Sequence, residues 1–128
     1  MKIYWISRHD LSPAQRQAIS DLHGEVEIVK DPVTLSGAEG LAEYIRGKDN
    51  EGIEGNFDVF VYAVAGAHHY IAAALDPLLY FGVFENHPQK RQDGSFGLAA
   101  VYHVGGGKIQ KVWVNPDPSS DQGEALIP

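Results

Sequence analysis

The 128-residue sequence predicts an α/β domain built on a mostly parallel sheet. Three observations predict it. Apolar, β-branched and aromatic runs (KIYWIS, FDVFVYAV, LLYFGVF) recur along the chain. Helix-period segments, two of them opened by capping residues, separate these runs. The last two apolar runs flank three glycines, Gly105–Gly107, as expected of an antiparallel hairpin.

Lys2–Ser7 is almost continuously apolar or aromatic, the signature of a strand buried on both faces. Ser12-Pro13-Ala14-Gln15 opens a helix: Ser12 suits the N-cap, Pro13 the first helical position, and Gln15 completes a capping box. Ala14, Ala18, Ile19 and Leu22 form its apolar face, and Gly24 stands where a helix ends. Glu25–Lys30 alternates and predicts a second, more exposed strand. Ser36-Gly37-Ala38-Glu39 is another capping box, followed by Leu41, Ala42 and Ile45 at helical spacing, so a short helix is expected there.

Gly47–Asn56 is polar and glycine-rich and predicts a surface loop. Phe57–Val64 is the strongest strand and the natural centre of the sheet. Ala65-Gly66-Ala67 breaks it, His68–Leu75 predicts a third, alanine-rich helix, and Leu78–Phe84 a fourth strand. Glu85–Gly97 carries turn residues. Leu98–Val104 and Lys108–Val114 form the hairpin. Strand–helix alternation three times over, with right-handed crossovers, amounts to a small Rossmann-like three-layer sandwich with a C-terminal antiparallel hairpin. Residues 1–114 would form this domain and 115–128, with three prolines, a flexible tail.

Composition narrows the function classes. Cysteine is absent, which excludes a disulfide scaffold, an iron–sulfur site, a thiolate zinc site and a cysteine nucleophile. No run reaches the roughly 18 apolar residues of a membrane span, and no charged-then-apolar leader opens the chain, so a soluble cytoplasmic protein with no membrane partner is expected. Seventeen acids against ten bases give a formal net charge of −7. Duplex DNA is therefore not an expected partner, since a basic stripe is needed to displace phosphate counterions. The acid is uneven. Residues 86–111 hold Lys90, Arg91, Lys108 and Lys111 against the single acid Asp93, which leaves room for a local anion site.

Open parallel sheets bind ligands beyond the carboxyl ends of their strands, at the topological switch point. That rule selects Ser7-Arg8-His9-Asp10 after the first strand, Ala65–His69 after the third, and Glu85-Asn86-His87 after the fourth. Four of the six histidines lie in these segments. Ser7, Arg8 and His9 combine a hydroxyl, a guanidinium able to grip phosphate bidentately, and an imidazole able to exchange protons near neutral pH, all just before a helix N-terminus. The alternative is a plain turn in which Arg8 pairs with Asp10 and His9 points to solvent. Gly66 and Ala67 offer a close backbone approach to a ligand. His68 and His69 are adjacent and point about 100° apart on a helix, too divergent to chelate one metal. Lys90 and Arg91 could screen phosphates or merely solvate a turn. Neither GxGxxG nor a Walker loop nor GxSxG occurs. No HxH or HxxxH pair accompanies His9, Glu85 and His87, so neither a metal nor another cofactor is expected.

The opening His9-x-Leu11-Ser12-x-x-Gln15 after a strand resembles the start of small single-domain CRISPR-associated ring nucleases. The Phe57–Val64 strand with its small-residue loop is similar to the same group. So is Gln92-Asp93-Gly94-Ser95 leading into Val101-Tyr102-His103-Val104. The resemblance implies a CARF-like Rossmann fold and a homodimer that holds a cyclic oligoadenylate across its two-fold axis. It implies metal-independent cleavage by a ribose 2′-OH, which switches off ancillary CRISPR effectors. By position it places Ser7, Arg8 and His9 at the phosphate, with His9 moving the proton. Gly66, Ala67, His68 and His69 would line the ligand, and Asn86 and His87 would reach an adenine or ribose. The acidic balance and the Asn50–Glu54 stretch depart from what a polyanion binder needs. They suit the alternative of a non-catalytic phage or defence protein that sequesters a nucleotide or blocks a protein partner.

Overall fold

The computed structural model describes residues 1–64, 66, 71 and 76–116. These form a six-stranded mixed sheet with two helices. The strands are β1 (Lys2–Ile6), β2 (Glu27–Asp31), β3 (Val59–Val64), β4 (Tyr80–Lys90), β5 (Phe96–Gly105) and β6 (Lys108–Val114). The helices are α1 (Pro13–His23) and α2 (Gly37–Gly55). Sheet order is β2-β1-β3-β4-β5-β6. The pairs β1–β2, β1–β3 and β3–β4 are parallel, and β4–β5 and β5–β6 antiparallel.

The period-two side-chain alternation of the strands divides the core. Ile3, Trp5, Phe60, Tyr62 and Phe84 point to one face, where Leu11, Ala14, Ala18 and Ile19 of the α1 region meet them. Tyr4, Val61, Phe81 and Val83 point to the other, where Leu41, Ala42 and Ile45 of α2 cover them. The chain leaves β1 in one direction to reach β2 and returns the opposite way to β3. Two crossovers of one hand in opposite directions place their helices on opposite faces, as observed.

Local chemistry sets the ends of α1. Ser12 Oγ accepts from the Gln15 amide at 3.1 Å and Gln15 Oε1 accepts from the Ser12 amide at 2.9 Å, so the capping box is complete. The Gly24 amide closes the other end on the Ser20 carbonyl.

Ser36 stands at the start of α2 as expected, but its side chain makes no capping hydrogen bond, so the second capping box does not form. Three further sequence expectations need correction. Gly47–Asn56 is not a loop: α2 continues to Gly55 and is capped by Asn56 in the left-handed conformation at φ 59°. Glycine disfavours a helix interior, but Gly52 is buried where α2 meets the entry to β3. A β-carbon there would sit 2.6 Å from the Phe57 carbonyl oxygen. The close approach demands glycine, and tertiary packing overrides propensity. Second, β4 does not stop at Phe84. Pairing with β5 carries it to Lys90 through register shifts around Asn86, in an irregular stretch that accommodates Pro88. Third, the antiparallel part of the sheet is larger than a hairpin, because β4 also runs against β5.

The third expected helix, His68–Leu75, lies outside the described residues apart from Ile71, and so do residues 117–128 of the expected tail. Asn115, at the start of that tail, is buried. Its amide donates to the Ala99 carbonyl at 2.9 Å, and its Nδ2 donates to the Leu98 carbonyl at 2.7 Å. No helix among the described residues is long and apolar enough to cross a membrane.

The same substitution at two α2 glycines is expected to act with opposite sign. Gly47→Ala meets nothing within 4 Å and should stabilise by about 0.5–1 kcal/mol through helix propensity. Gly52→Ala gains that term but must push backbone apart, and overpacking of about 1–3 kcal/mol should win. Urea unfolding midpoints of the two variants measure both.

Candidate functional site

The crossover geometry locates the topological switch point between the carboxyl ends of β1 and β3. The registers Trp5↔Tyr62 and Tyr62↔Gly82 bring Ser7, Val64 and Phe84 to one level. Ser7–Asp10 and Gly66 therefore leave the same edge of the sheet, whereas Asn86 and His87, expected in a loop there, lie within β4, which pairing with β5 carries past that level to Lys90. At a strand spacing of ~4.8 Å, β1 and β4 stand about 10 Å apart across β3.

The turn after β1 is held by the core beneath it. Trp5 is buried, and its indole Nε1 donates to the His9 carbonyl at 2.7 Å. The His9 amide in turn donates to Ser7 Oγ at 3.0 Å. The Ser7 hydroxyl thus accepts within the turn and still has its own proton and a second lone pair to offer a ligand. Arg8 and His9 are exposed.

Asp10 does not pair with Arg8. Its carboxylate takes Lys30 Nζ, from β2, at 2.8 Å. That hydrogen bond, reinforced by the Lys30, Arg16 and His9 charges, holds the Asp10 carboxyl below the usual carboxylate range. The pair is open to solvent and screened by it, so it contributes little to stability and yields readily to a competing anion. Arg8, His9, Arg16 and Lys30 thus stand on or beside the Asp10 turn, a local cluster of basic side chains on a chain of net charge −7. The sequence reading missed Arg16 and Lys30. The edge rule applied to β2 as well as β1 would have found Lys30, while Arg16 enters because α1 starts at the turn.

The remaining candidates are dispersed. Asn86 is exposed, and His87 Nδ1 accepts from the Gln89 amide at 3.3 Å. Lys90 lies over the Phe96 ring, with Nζ 5.7 Å from its centroid. Arg91 is committed to the β4–β5 turn, where its guanidinium donates to Ser95 Oγ at 2.9 Å and its amide to the Ser95 carbonyl. Ala67, His68 and His69 lie outside the described residues. No group of three or more histidines and carboxylates among the described residues is placed to hold a metal ion. Concavities are found elsewhere. One of about 790 Å³ is lined by Asp49, Gly52 and Phe57 at the end of α2, and one of about 560 Å³ lies between α1 and Trp113 of β6.

A second cluster of titratable groups was not legible in the sequence. The Tyr62 hydroxyl, on β3, bonds His23 Nε2 at 2.7 Å and His103 Nε2 at 3.0 Å. Spacing alone gives no hint of it, because its members come from α1, β3 and β5. Burial lowers both imidazoles below their usual value. His103 falls to about 4, pushed also by the charge of His23. Burial pushes the Tyr62 phenol upward.

No protein-family model, curated protein or solved structure matches the chain.

The Trp5 indole is expected to act as the positioning group for the His9 turn. Trp5→Phe removes one hydrogen bond and part of a buried ring, a loss of about 1–3 kcal/mol. Amide exchange of residues 7–10 should accelerate more than that of β3, as measured by NMR.

Proposed function

We propose that the carboxyl edge of β1 and β3 binds a cyclic oligoadenylate and cleaves it without a metal, in a Rossmann-like, CARF-like domain that acts as a ring nuclease and switches off ancillary CRISPR effectors. One observation carries the reading. Of the residues in the motif His9-x-Leu11-Ser12-x-x-Gln15, Leu11 is buried in the core and Ser12 and Gln15 cap α1. Only His9 is left with an exposed side chain and no structural task, and the local cluster of basic side chains lies beside it. The switch-point position supports the same reading.

In the proposed reaction a ribose 2′-oxygen attacks the adjacent phosphorus in line. The bond to the 5′-oxygen breaks, giving a 2′,3′-cyclic phosphate and a free 5′-hydroxyl. His9 takes the 2′-OH proton or returns one to the departing 5′-oxygen. Arg8 neutralises the non-bridging oxygens, helped by the Ser7 O–H. Arg16 and Lys30 draw the polyanion to the edge, and Asn86 and His87 face the next nucleotide. Positioning supplies most of the rate. The site is an open edge, so a homodimer whose second copy covers the ligand fits this reading. Asn50–Glu54 lies in the carboxyl half of α2, which covers the face opposite α1, so its acids need not face the ligand.

Incubation with cyclic tri-, tetra- and hexa-adenylate in EDTA, with products resolved by chromatography, tests the proposal. Linear products ending in 2′,3′-cyclic phosphate are expected. His9→Ala should lower turnover by about 10²–10⁴-fold while leaving binding nearly unchanged. Arg8→Ala should weaken binding by about tenfold or more. Asp10→Asn, which removes the acid that pairs with Lys30, should tighten it. Binding without turnover would instead favour sequestration by a non-catalytic protein, and no binding to any ring would sink both.

A further inference from the structure

The Tyr62 hydroxyl has one proton and two lone pairs, and two imidazole nitrogens share it. One histidine must therefore donate its Nε2–H to the phenol oxygen, while the other accepts the phenol proton on a bare Nε2. The two rings are stacked with centroids 5.8 Å apart. His23 is the last residue of α1, whereas Tyr62 and His103 belong to the sheet. The network thus ties the carboxyl end of α1 to β3 and β5.

The surroundings leave it little help against added charge. From β3, Phe60 packs against both histidines. From β4, Tyr80 packs edge-on to His103 at 5.8 Å, and Gly82 is its register partner. From β6, the neutral Gln110 pairs with His103. On α1, Asp21 is engaged by Trp113 of β6 and Gln17. The charge bearing on His103 is that of His23, and the charge bearing on Tyr62 is that of Tyr80.

We propose that the His23–Tyr62–His103 bridge is an acid-released latch that holds the carboxyl end of α1 on the sheet. A first proton can be taken on the outer nitrogen of the donating histidine with both bonds intact. A second must go to the accepting Nε2. It leaves the phenol proton without its partner and sets two cations against each other in a half-buried site. The bridge then opens at α1, whose packing on the sheet is made by side chains.

The sign follows from the histidines. Both have a lower proton affinity when latched than the ordinary value of 6.5, His103 falling to about 4. The open form binds more protons between these limits. The latch is therefore fully closed above about pH 6.5 and weakens as pH falls towards about 4.

Backbone NMR of the full chain, titrated from about pH 7.5 to about pH 4, reads the latch. Amide protection in residues 18–23 should fall over that range while β1 and β3 stay protected. His103→Gln keeps a nitrogen donor near the Nε2 position but cannot titrate, and should lower the release midpoint by about one pH unit or more. Tyr62→Phe removes both bonds and retains the ring stacked on Phe84 at 4.8 Å, so α1 should be loosened already at neutral pH. Protection of α1 that persists unchanged to about pH 4 would overturn the proposal. So would simultaneous loss of α1 and the sheet, or a His103→Gln midpoint equal to that of the wild type. If His103→Gln does not fold, His23→Gln serves with the same expectation.

Discussion

The rest of the structure depends on the parallel pair β1–β3 being buried on both faces. Each strand must then send alternate side chains to two different partners. Ile3, Trp5, Phe60 and Tyr62 require cover on one side, and Tyr4 and Val61 on the other. One helix cannot satisfy both, and crossovers in opposite directions deliver one helix to each face. The switch point is a by-product of that solution: where the chain reverses direction, the turns after β1 and β3 diverge and leave an edge a ligand can reach.

Trp5 shows how the core reaches this edge. Its ring is core, packed edge-on against Phe84 at 5.3 Å, and its single polar atom must find an acceptor because burial leaves it no water. The acceptor is the His9 carbonyl. Satisfying a buried indole thus fixes the backbone of the turn and leaves the imidazole and guanidinium of residues 9 and 8 outside. The same logic governs Tyr62, whose ring is wholly buried across Gly82. A β-carbon at Gly82 would lie 2.1 Å from that ring, so a small residue is required there. Its hydroxyl, brought to the α1 face, is satisfied by two histidines rather than by backbone.

Charge is organised locally rather than globally. A net charge of −7 argues against a general nucleic-acid binder, yet His9, Arg16 and Lys30 gather around Asp10, with Arg8 exposed in the same turn. Potential decays within about 8–10 Å at physiological ionic strength, so a ligand at this edge senses the nearby basic side chains more than the net charge of the whole chain.

The sequence by itself determined what depends on local chemistry. The Ser12–Gln15 capping box, the alternation within Ile3–Trp5 and the glycine turn at 105–107 were legible because each is decided by residues within a few positions of one another. So was the choice of Ser7–His9 as an edge turn, which needs only the end of a strand. Tertiary structure decided what depends on distant partners. Gly47–Asn56 reads as a loop because glycine lacks helix propensity, and only the approach of Phe57 to Gly52 shows why glycine serves the helix there. The extension of β4 past Phe84 depends on a hydrogen-bonding ladder that β5 supplies. Lys30, Arg16 and the His23–Tyr62–His103 bridge join residues 6 to 80 positions apart. No periodicity records such pairings, because they exist only once the sheet has brought separate segments side by side.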